Sequence, residues 1–200
     1  MSTIHTNNRE ALREILAVYA PPGPVLDMTY GTGAFWDEKP DVTLDLVTKA
    51  DVMGSFYALP FPRGHFAVVV FDPPYRMNGT KPDYALTERY RNTASNYRVV
   101  PLHYERGILE TYRVLVPGGI LVVKMQDQVV SGRRYFQTNE ALRWAGMFGR
   151  LLAEVHVVTG ARPQPLGRKQ LNIQASHSTF QVWQNTRRAK QLAALEPRLF

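Results

Sequence analysis

The most distinctive chemical signal in the sequence is the tetrapeptide Asp72-Pro73-Pro74-Tyr75, which follows the apolar run at 66–71. Two prolines cannot continue a sheet ladder, so the strand that the run predicts must end there. The strand end then carries a carboxylate, rigid backbone carbonyls and an aromatic ring. Such a ring can stack on a base, which is worth about 1–3 kcal/mol, while the carboxylate and a carbonyl can accept the two hydrogens of an amine. The tetrapeptide therefore predicts a site for a planar aromatic base with an exocyclic amine.

A second set of candidate binding residues lies in a glycine turn, Asp27 to Gly33, which follows a short apolar run. Glycine lets a ligand approach the backbone closely, and ligands of doubly wound sheets bind beyond the carboxyl ends of the strands. The turn is not a dinucleotide fingerprint, because Trp36 stands at the third glycine position, and no P-loop Gly-Lys-Ser/Thr follows. Asp45 ends the next predicted strand, where an acid can accept hydrogen bonds from ribose hydroxyls. An ordinary strand-to-helix turn and a surface acid remain the alternatives to a ligand site.

These residues need a scaffold, and the hydrophobic spacing predicts one. Helices are predicted at Arg9–Tyr19, His103–Leu115, Asn139–Phe148 and Asn185–Leu195, and strands at Val25–Met28, Val42–Leu46, Phe66–Phe71, Ile120–Met125, Leu151–Val158 and Thr179–Trp183. Residues 76–101 are polar and predict a long loop, a kind of connection that is often functional. The alternation of strands and crossovers favours one α/β domain over residues 1–200, with a tail from 185. The last two predicted strands are joined without a helix, which indicates an antiparallel pair at one edge of the sheet.

Composition limits the classes of protein that the chain can belong to. It has 200 residues, 44% hydrophobic and 20% charged, which excludes wholesale disorder. The absence of cysteine excludes a disulfide scaffold, a thiol nucleophile and a cysteine-ligated metal. The five histidines are scattered along the chain, so we expect no metal site. The longest apolar runs are far shorter than the roughly 20 residues of a membrane-spanning helix, so we expect a cytoplasmic protein without a membrane partner.

The net charge of +7 is unevenly distributed along the chain. Residues 1–75 contain five Lys or Arg and nine Asp or Glu, whereas residues 76–200 contain 19 and eight. An acidic half suits a small or cationic ligand, and a basic half suits a polyanion such as nucleic acid. Basic residues that only keep the second half soluble are the alternative.

Together, the two motifs resemble those of the S-adenosylmethionine-dependent adenine-N6/cytosine-N4 DNA amino-methyltransferases. The glycine turn is similar to the cofactor motif of that family, D-P-F-x-G-[ST]-G, and residues 72–75 match its catalytic [DNS]-P-P-[YFW] in full. His5-Thr6 faintly resembles the family's first cofactor segment. The resemblance implies a Rossmann-like class I methyltransferase fold, with a mostly parallel seven-stranded sheet and an antiparallel last strand. The proportions are similar to those of small phage or prophage enzymes, which would act in a bacterial or phage-infected cell.

The resemblance also implies which residues contact S-adenosylmethionine. They are Asp27, Thr29, Tyr30, Gly31, Gly33, Asp45, Asp51, Ser55 and Phe56. The sequence departs from the family pattern because Met28-Thr29 replaces the common Pro-Phe and Ser55 stands where many relatives place an acid. Contact to the cofactor's adenine is therefore left open between Ser55, the Phe56 backbone and Asp51. Only residues 34–40 separate the glycines from the next predicted strand, so the usual first helix must be stunted.

The function implied by the resemblance is methyl transfer to a base in DNA, most simply to adenine N6. Asp72 and the Pro73 carbonyl would accept the amine hydrogens, and the nitrogen would attack the methyl group directly. Nucleic-acid contacts are predicted for basic residues that are partly interleaved with tyrosines: Arg76, Lys81, Arg89, Arg91, Arg98, Arg133, Arg134, Arg168 and Lys169. RNA in place of DNA, cytosine N4 in place of adenine, and a non-catalytic nucleic-acid binder are the alternatives.

Overall fold

The computed structural model describes residues 2–47, 49–75, 99–130, 133–158 and 176–187. Their helices are α1 (Asn8–Tyr19), α2 (Val99–Val114) and α3 (Gln137–Ala145). Their strands are β1 (Ile4–His5), β2 (Val25–Asp27), β3 (Val42–Asp45), β4 (Val52–Met53), β5 (Phe66–Phe71), β6 (Leu115–Met125), β7 (Gln128–Val130), β8 (Arg133–Tyr135), β9 (Gly149–Val158) and β10 (His177–Asn185). Within these ranges, no helix is long and apolar enough to cross a membrane.

One large mixed sheet organises the fold, and its strand order is β1-β9-β10-β6-β5-β2-β3-β4. Strand β10 runs antiparallel to both of its neighbours, and the other strand pairs are parallel. The predicted fold class and the predicted antiparallel pair are therefore confirmed. The sheet has eight strands rather than the seven expected, because the two-residue β1 adds a parallel edge beside β9.

Strand β5 lies at the centre of the sheet, and all six of its residues are buried. Successive side chains of a strand point to opposite faces. Val68 and Val70 accordingly pack with the apolar side of α1 in one core, while Val69 and Phe71 pack with α2 and α3 in the other. This three-layer arrangement explains why the sequence of β5 is apolar throughout instead of alternating with polar residues.

Several predicted boundaries need correction. Helix α2 begins at Val99 rather than His103, so residues 99–101 are helical and not part of the predicted loop. Pro101 is tolerated there because it lies in the first turn, where backbone N–H groups have no partner within the helix. Strand β6 begins at Leu115 and includes 117–119, which bulge between two paired positions. The remainder of the predicted loop, residues 76–98, lies outside the described residues.

The C-terminal prediction is corrected at its start. Asn185 is the last residue of β10 and not the first residue of a helix. Its side chain donates to the Val116 carbonyl at 2.9 Å, which ties the strand end to the bulge in β6. Residues 188–195 of the predicted tail helix, and the tail beyond them to 200, lie outside the described residues.

Candidate active site

A cavity of about 270 Å³ opens at the carboxyl ends of β2, β3 and β5. Its lining combines the glycine turn, the end of β3 and the start of the proline-rich motif: Met28, Thr29, Tyr30, Gly31, Thr32, Ala34, Phe35, Asp45, Leu46, Val47, Phe56, Asp72 and Pro74. The parallel sheet brings these segments together because its strand ends meet at one edge. The two motifs that the sequence singled out therefore share one cavity.

The glycine turn is fastened to the end of β3 by Asp45. The Gly31 N–H donates to Asp45 Oδ2 at 2.9 Å, and the Val47 N–H donates to Asp45 Oδ1 at 2.8 Å. Gly31 has a φ of +56°, and a Cβ placed on it would meet nothing nearer than the Thr29 carbonyl at 3.9 Å. The turn thus presents bare backbone to the cavity, and a carboxylate lies beside it.

Asp27 holds the glycine turn through side-chain hydrogen bonds and does not line the cavity. It is buried, and its two carboxylate oxygens accept hydrogen bonds from the Thr29 N–H (2.9 Å) and from Trp36 Nε1 (2.7 Å). Burial, with a smaller contribution from the nearby Asp72 and Asp45 carboxylates, raises the pKa of Asp27 to about 7 against the opposing effect of those two donors. The chain from 28 to 41, all of which is described, makes turns and no helix, as the short spacing predicted.

Thr29 connects the two motifs directly. Its hydroxyl oxygen accepts a hydrogen bond from the Asp72 backbone N–H at 2.7 Å. Phenylalanine, which stands at this position in the family motif, offers no such acceptor. The departure at Thr29 therefore has a structural role in this chain, because it holds the start of the proline-rich motif against the glycine turn.

Asp72 forms an ion pair with a buried lysine that the sequence did not predict. Lys124 Nζ, on β6, lies 3.3 Å from Asp72 Oδ1 and 3.5 Å from the Tyr75 hydroxyl. Burial raises the pKa of Asp72, and Lys124 opposes that rise. Burial by itself would lower the pKa of Lys124, but the Asp72 carboxylate and Tyr75 hold it above its usual range. The one signal in the sequence was a charged residue inside an otherwise apolar strand.

The last residue of the motif is held from the opposite side by α3. Gln137 Nε2 donates to the Tyr75 carbonyl oxygen at 2.7 Å, and Gln137 Oε1 accepts from the Tyr104 hydroxyl at 3.0 Å. Gln137 and Tyr104 are both buried. The motif is therefore fixed at Asp72 by Thr29 and Lys124, and at Tyr75 by Gln137.

Three other predicted cofactor residues do not line the cavity. Gly33 (φ +71°) packs under Tyr30, whose hydroxyl oxygen would lie 2.5 Å from an added Cβ. Asp51 pairs with Lys39 and accepts hydrogen bonds from the Thr43 N–H and hydroxyl, and these donors lower its pKa to about 2. Ser55 Oγ accepts the Tyr57 N–H at 3.2 Å. Of the three candidates left open for the cofactor's adenine, only Phe56 reaches the cavity lining.

The predicted nucleic-acid residues are only partly described. Arg133, which is exposed, and Arg134 lie on β8, in a hairpin with β7 that immediately precedes Gln137. Arg134 lies over the Phe136 ring at 5.5 Å. The other members, Arg76, Lys81, Arg89, Arg91, Arg98, Arg168 and Lys169, lie outside the described residues.

The N-terminal segment lies away from the cavity lining. His5 pairs with β9 through β1, and His5 Nε2 lies 2.8 Å from the Ser2 carbonyl oxygen. Within the described part of the chain, His5, Glu10 and Glu14 form the one group whose potential ligand atoms approach to metal-binding distance. The spacing of the histidines along the sequence did not predict this group. It forms because α1 brings Glu10 and Glu14 close to His5 on β1.

No protein-family model and no curated protein sequence matches this chain. Solved structures do resemble it. TrmN from Thermus thermophilus superposes with a TM-score of 0.56 and 15% identity over 88% of this chain and 48% of that chain. An S-adenosylmethionine-dependent methyltransferase from Thermotoga maritima superposes with a TM-score of 0.52 and 14% identity, over 90% of this chain and 88% of that chain. Another from Methanosarcina mazei superposes with a TM-score of 0.52 and 13% identity, over 86% of this chain and 96% of that chain. The chain therefore has the Rossmann-like fold of the S-adenosylmethionine-dependent methyltransferases.

Proposed function

We propose that this protein transfers a methyl group from S-adenosylmethionine to the exocyclic amine of a nucleic-acid base, with adenine N6 in DNA as the preferred target. The observation that carries the proposal is that Asp72 and Pro74 line the same cavity as the glycine turn and Asp45. The residues proposed to act on the amine and those proposed to bind the nucleoside of the cofactor therefore lie within reach of one another.

The chemistry of the cavity fits the proposed cofactor. Its volume of about 270 Å³ lies just below the range of about 300–1,000 Å³ for small-molecule sites. Phe35 and Phe56 supply apolar walls for an adenine ring, and Asp45 supplies an acceptor for ribose hydroxyls. When bound, the cofactor would supply a methyl group on a positively charged sulfonium, and the carboxylates of Asp45 and Asp72, which line the cavity, favour a cation there.

Asp72 would act on the target amine. The nitrogen of adenine N6 is a poor nucleophile because its lone pair is delocalised into the ring. When Asp72 and the Pro73 carbonyl accept its two hydrogens, the lone pair is freed and aimed, and the carboxylate offsets the positive charge that develops on nitrogen. Such positioning can supply up to about 7–11 kcal/mol of the acceleration. The proton then leaves the nitrogen for water.

Nucleic acid is the substrate class that the charge distribution supports. Residues 76–200 carry 19 basic and eight acidic residues, and phosphate contacts supply most of the affinity of such complexes. Arg133 and Arg134 lie on the hairpin that leads into Gln137, which holds the catalytic motif. A base inside a duplex cannot reach a cavity of this kind, so the target must be flipped out or single-stranded.

The test is to incubate the protein with tritiated S-adenosylmethionine and either unmethylated DNA or RNA, and to separate the nucleosides after digestion. We expect label in N6-methyladenine from DNA. Label in RNA alone, or in N4-methylcytosine, would replace the preferred target by that one. No label in either polymer, together with no calorimetric binding of the cofactor, would refute the proposal.

Asp72→Asn is the variant that separates catalysis from binding. Because Lys124 donates to Oδ1, the amide introduced at position 72 must keep its oxygen toward Lys124. Its NH₂ group then points toward the substrate amine, so that two hydrogen-bond donors face each other. We expect turnover to fall by about 10²–10⁴-fold with cofactor affinity nearly unchanged. Asp37→Asn, at an exposed acid that pairs with Arg9 and Arg13, is the matched control and should methylate normally.

A non-catalytic binder would be recognised by calorimetry. Gly31→Trp places an indole where the glycine now leaves open space beside the cavity. Suppose that the wild type binds the cofactor, that Gly31→Trp does not, and that the wild type methylates no nucleic acid. The protein would then be a binding module on a methyltransferase fold.

A further inference from the structure

Lys124 is a buried lysine at the centre of the candidate site. Its side chain is 4% exposed, and lysine is almost never buried unless it is paired. It lies near the end of β6, on the face of the sheet that packs against α1, and it is paired with Phe180 on the neighbouring strand β10. Its ammonium lies over the rings of Phe35 (5.0 Å), Tyr75 (4.9 Å) and Phe180 (6.0 Å).

The stability of the fold does not explain this lysine. Replacement of a buried ion pair by well-packed apolar residues is often neutral or stabilising, and the neighbouring β6 residues are all apolar and buried. Among the described residues, the polar contacts found for the ammonium are instead to the catalytic motif: Asp72 Oδ1 at 3.3 Å and the Tyr75 hydroxyl at 3.5 Å. A contact to the first and last residues of one motif indicates a role in the chemistry of that motif.

We propose that Lys124 is a positioning residue with two roles. It holds Asp72 Oδ1 inward, so that Oδ2 accepts the substrate's amine hydrogen. It also covers one face of the Tyr75 ring, so that the base stacks on the other face. The proposal rests on the proposed function. Among the described residues, Lys124 makes the one hydrogen bond found to the Asp72 carboxylate. The other hydrogen bond of Asp72 runs from its backbone N–H to Thr29.

The charges around Asp72 make the lysine necessary. Asp27 on β2 and Tyr104 on α2 lie close enough to Asp72 for their charges to interact. Asp45, at the end of β3, lines the same cavity, and Tyr75 follows in the same loop. Each of these groups is neutral or negative. In the described part of the chain, Lys124 is the cation found to favour the ionised form of Asp72. Without it, burial acts unopposed, so Asp72 would hold its proton to a higher pH. A protonated Asp72 cannot accept the amine hydrogen at the oxygen that carries its own proton.

The experiment compares wild type, Lys124→Met and Lys124→Arg in the methylation assay across about pH 5–9. Methionine keeps the length and apolar stem and removes the charge. We expect kcat at neutral pH to fall by about tenfold or more in Lys124→Met, with the acid limb of the profile moved to higher pH and the KM for cofactor unchanged. Lys124→Arg should restore the position of the acid limb. Lys39→Met removes an exposed lysine–aspartate pair elsewhere and should leave the profile in place.

A second measurement does not depend on activity. The carboxyl of Asp72, labelled with ¹³C and assigned by its loss in Asp72→Asn, should titrate at higher pH in Lys124→Met than in wild type. An unchanged titration would overturn the proposal even if the variant were less active. If the wild type methylates no nucleic acid, the proposed function fails, and this titration still decides whether Lys124 keeps Asp72 ionised.

Discussion

Thr29→Val tests the link between the two motifs. The threonine hydroxyl accepts the Asp72 backbone N–H at 2.7 Å, and valine keeps the shape of the side chain while it removes the acceptor. Asp72 is then held by Lys124 at its side chain but by nothing at its N–H. We expect the start of the proline-rich motif to loosen, with a loss of stability and of turnover.

The stability loss follows from the unpaired N–H. Leaving a buried donor without an acceptor costs about 1–3 kcal/mol, and the hydrogen bond to Thr29 is partly buried, so we expect about 1–2 kcal/mol. In a chain of this length each kcal/mol lowers Tm by about 2–4 °C. The expected fall in Tm is therefore about 2–8 °C.

Urea unfolding and the methylation assay measure the two effects separately. Thr29→Ser keeps the hydroxyl and is the matched control, expected within about 0.5 kcal/mol of wild type. The m-value should be the same in all three proteins, because the surface exposed on unfolding does not change. If Thr29→Val unfolds and turns over as Thr29→Ser does, the hydroxyl does not hold the motif and the reasoning is wrong.

Two further predictions concern the base of the glycine turn. The pKa of Asp27 is raised from 3.8 to about 7, so between these pH values the folded state binds a proton that the unfolded state has lost. The free energy of unfolding should therefore decline as pH rises from about 4 to 7 and level off above. Trp36, 2.7 Å from this carboxylate, should report the titration of Asp27 by fluorescence, and Asp27→Asn should abolish the titration. Gly33→Ala forces alanine into positive φ, which costs about 1–2 kcal/mol, and brings its Cβ to 2.5 Å from the Tyr30 hydroxyl oxygen. Gly64→Ala, at a φ of +58° with open space around it, should suffer the strain alone, and equal losses by thermal unfolding would contradict the packing argument.

The sequence by itself predicted the fold class and singled out the two motifs that line the cavity. Strand β5 was predicted at its observed bounds, Phe66–Phe71, because a run of apolar β-branched residues bounded by Pro-Pro leaves little choice. Helix α1 was predicted to within a residue from its apolar spacing. Both signals are local, since they depend on backbone sterics and on the period of the side chains, and neither needs knowledge of distant neighbours.

The tertiary structure alone decided which side chains act on Asp72. Thr29 and Lys124 are separated from it by 43 and 52 residues in the chain. Lys124 reaches it because β6 lies beside β5 in parallel with Phe71 paired to Val123, which sets the next residue of each strand side by side. Strand order and register are properties of the whole sheet, and a shift of one residue would turn Lys124 to the opposite face. The motif was therefore visible in the sequence, whereas the ionisation and orientation of its carboxylate follow only from how the sheet is assembled.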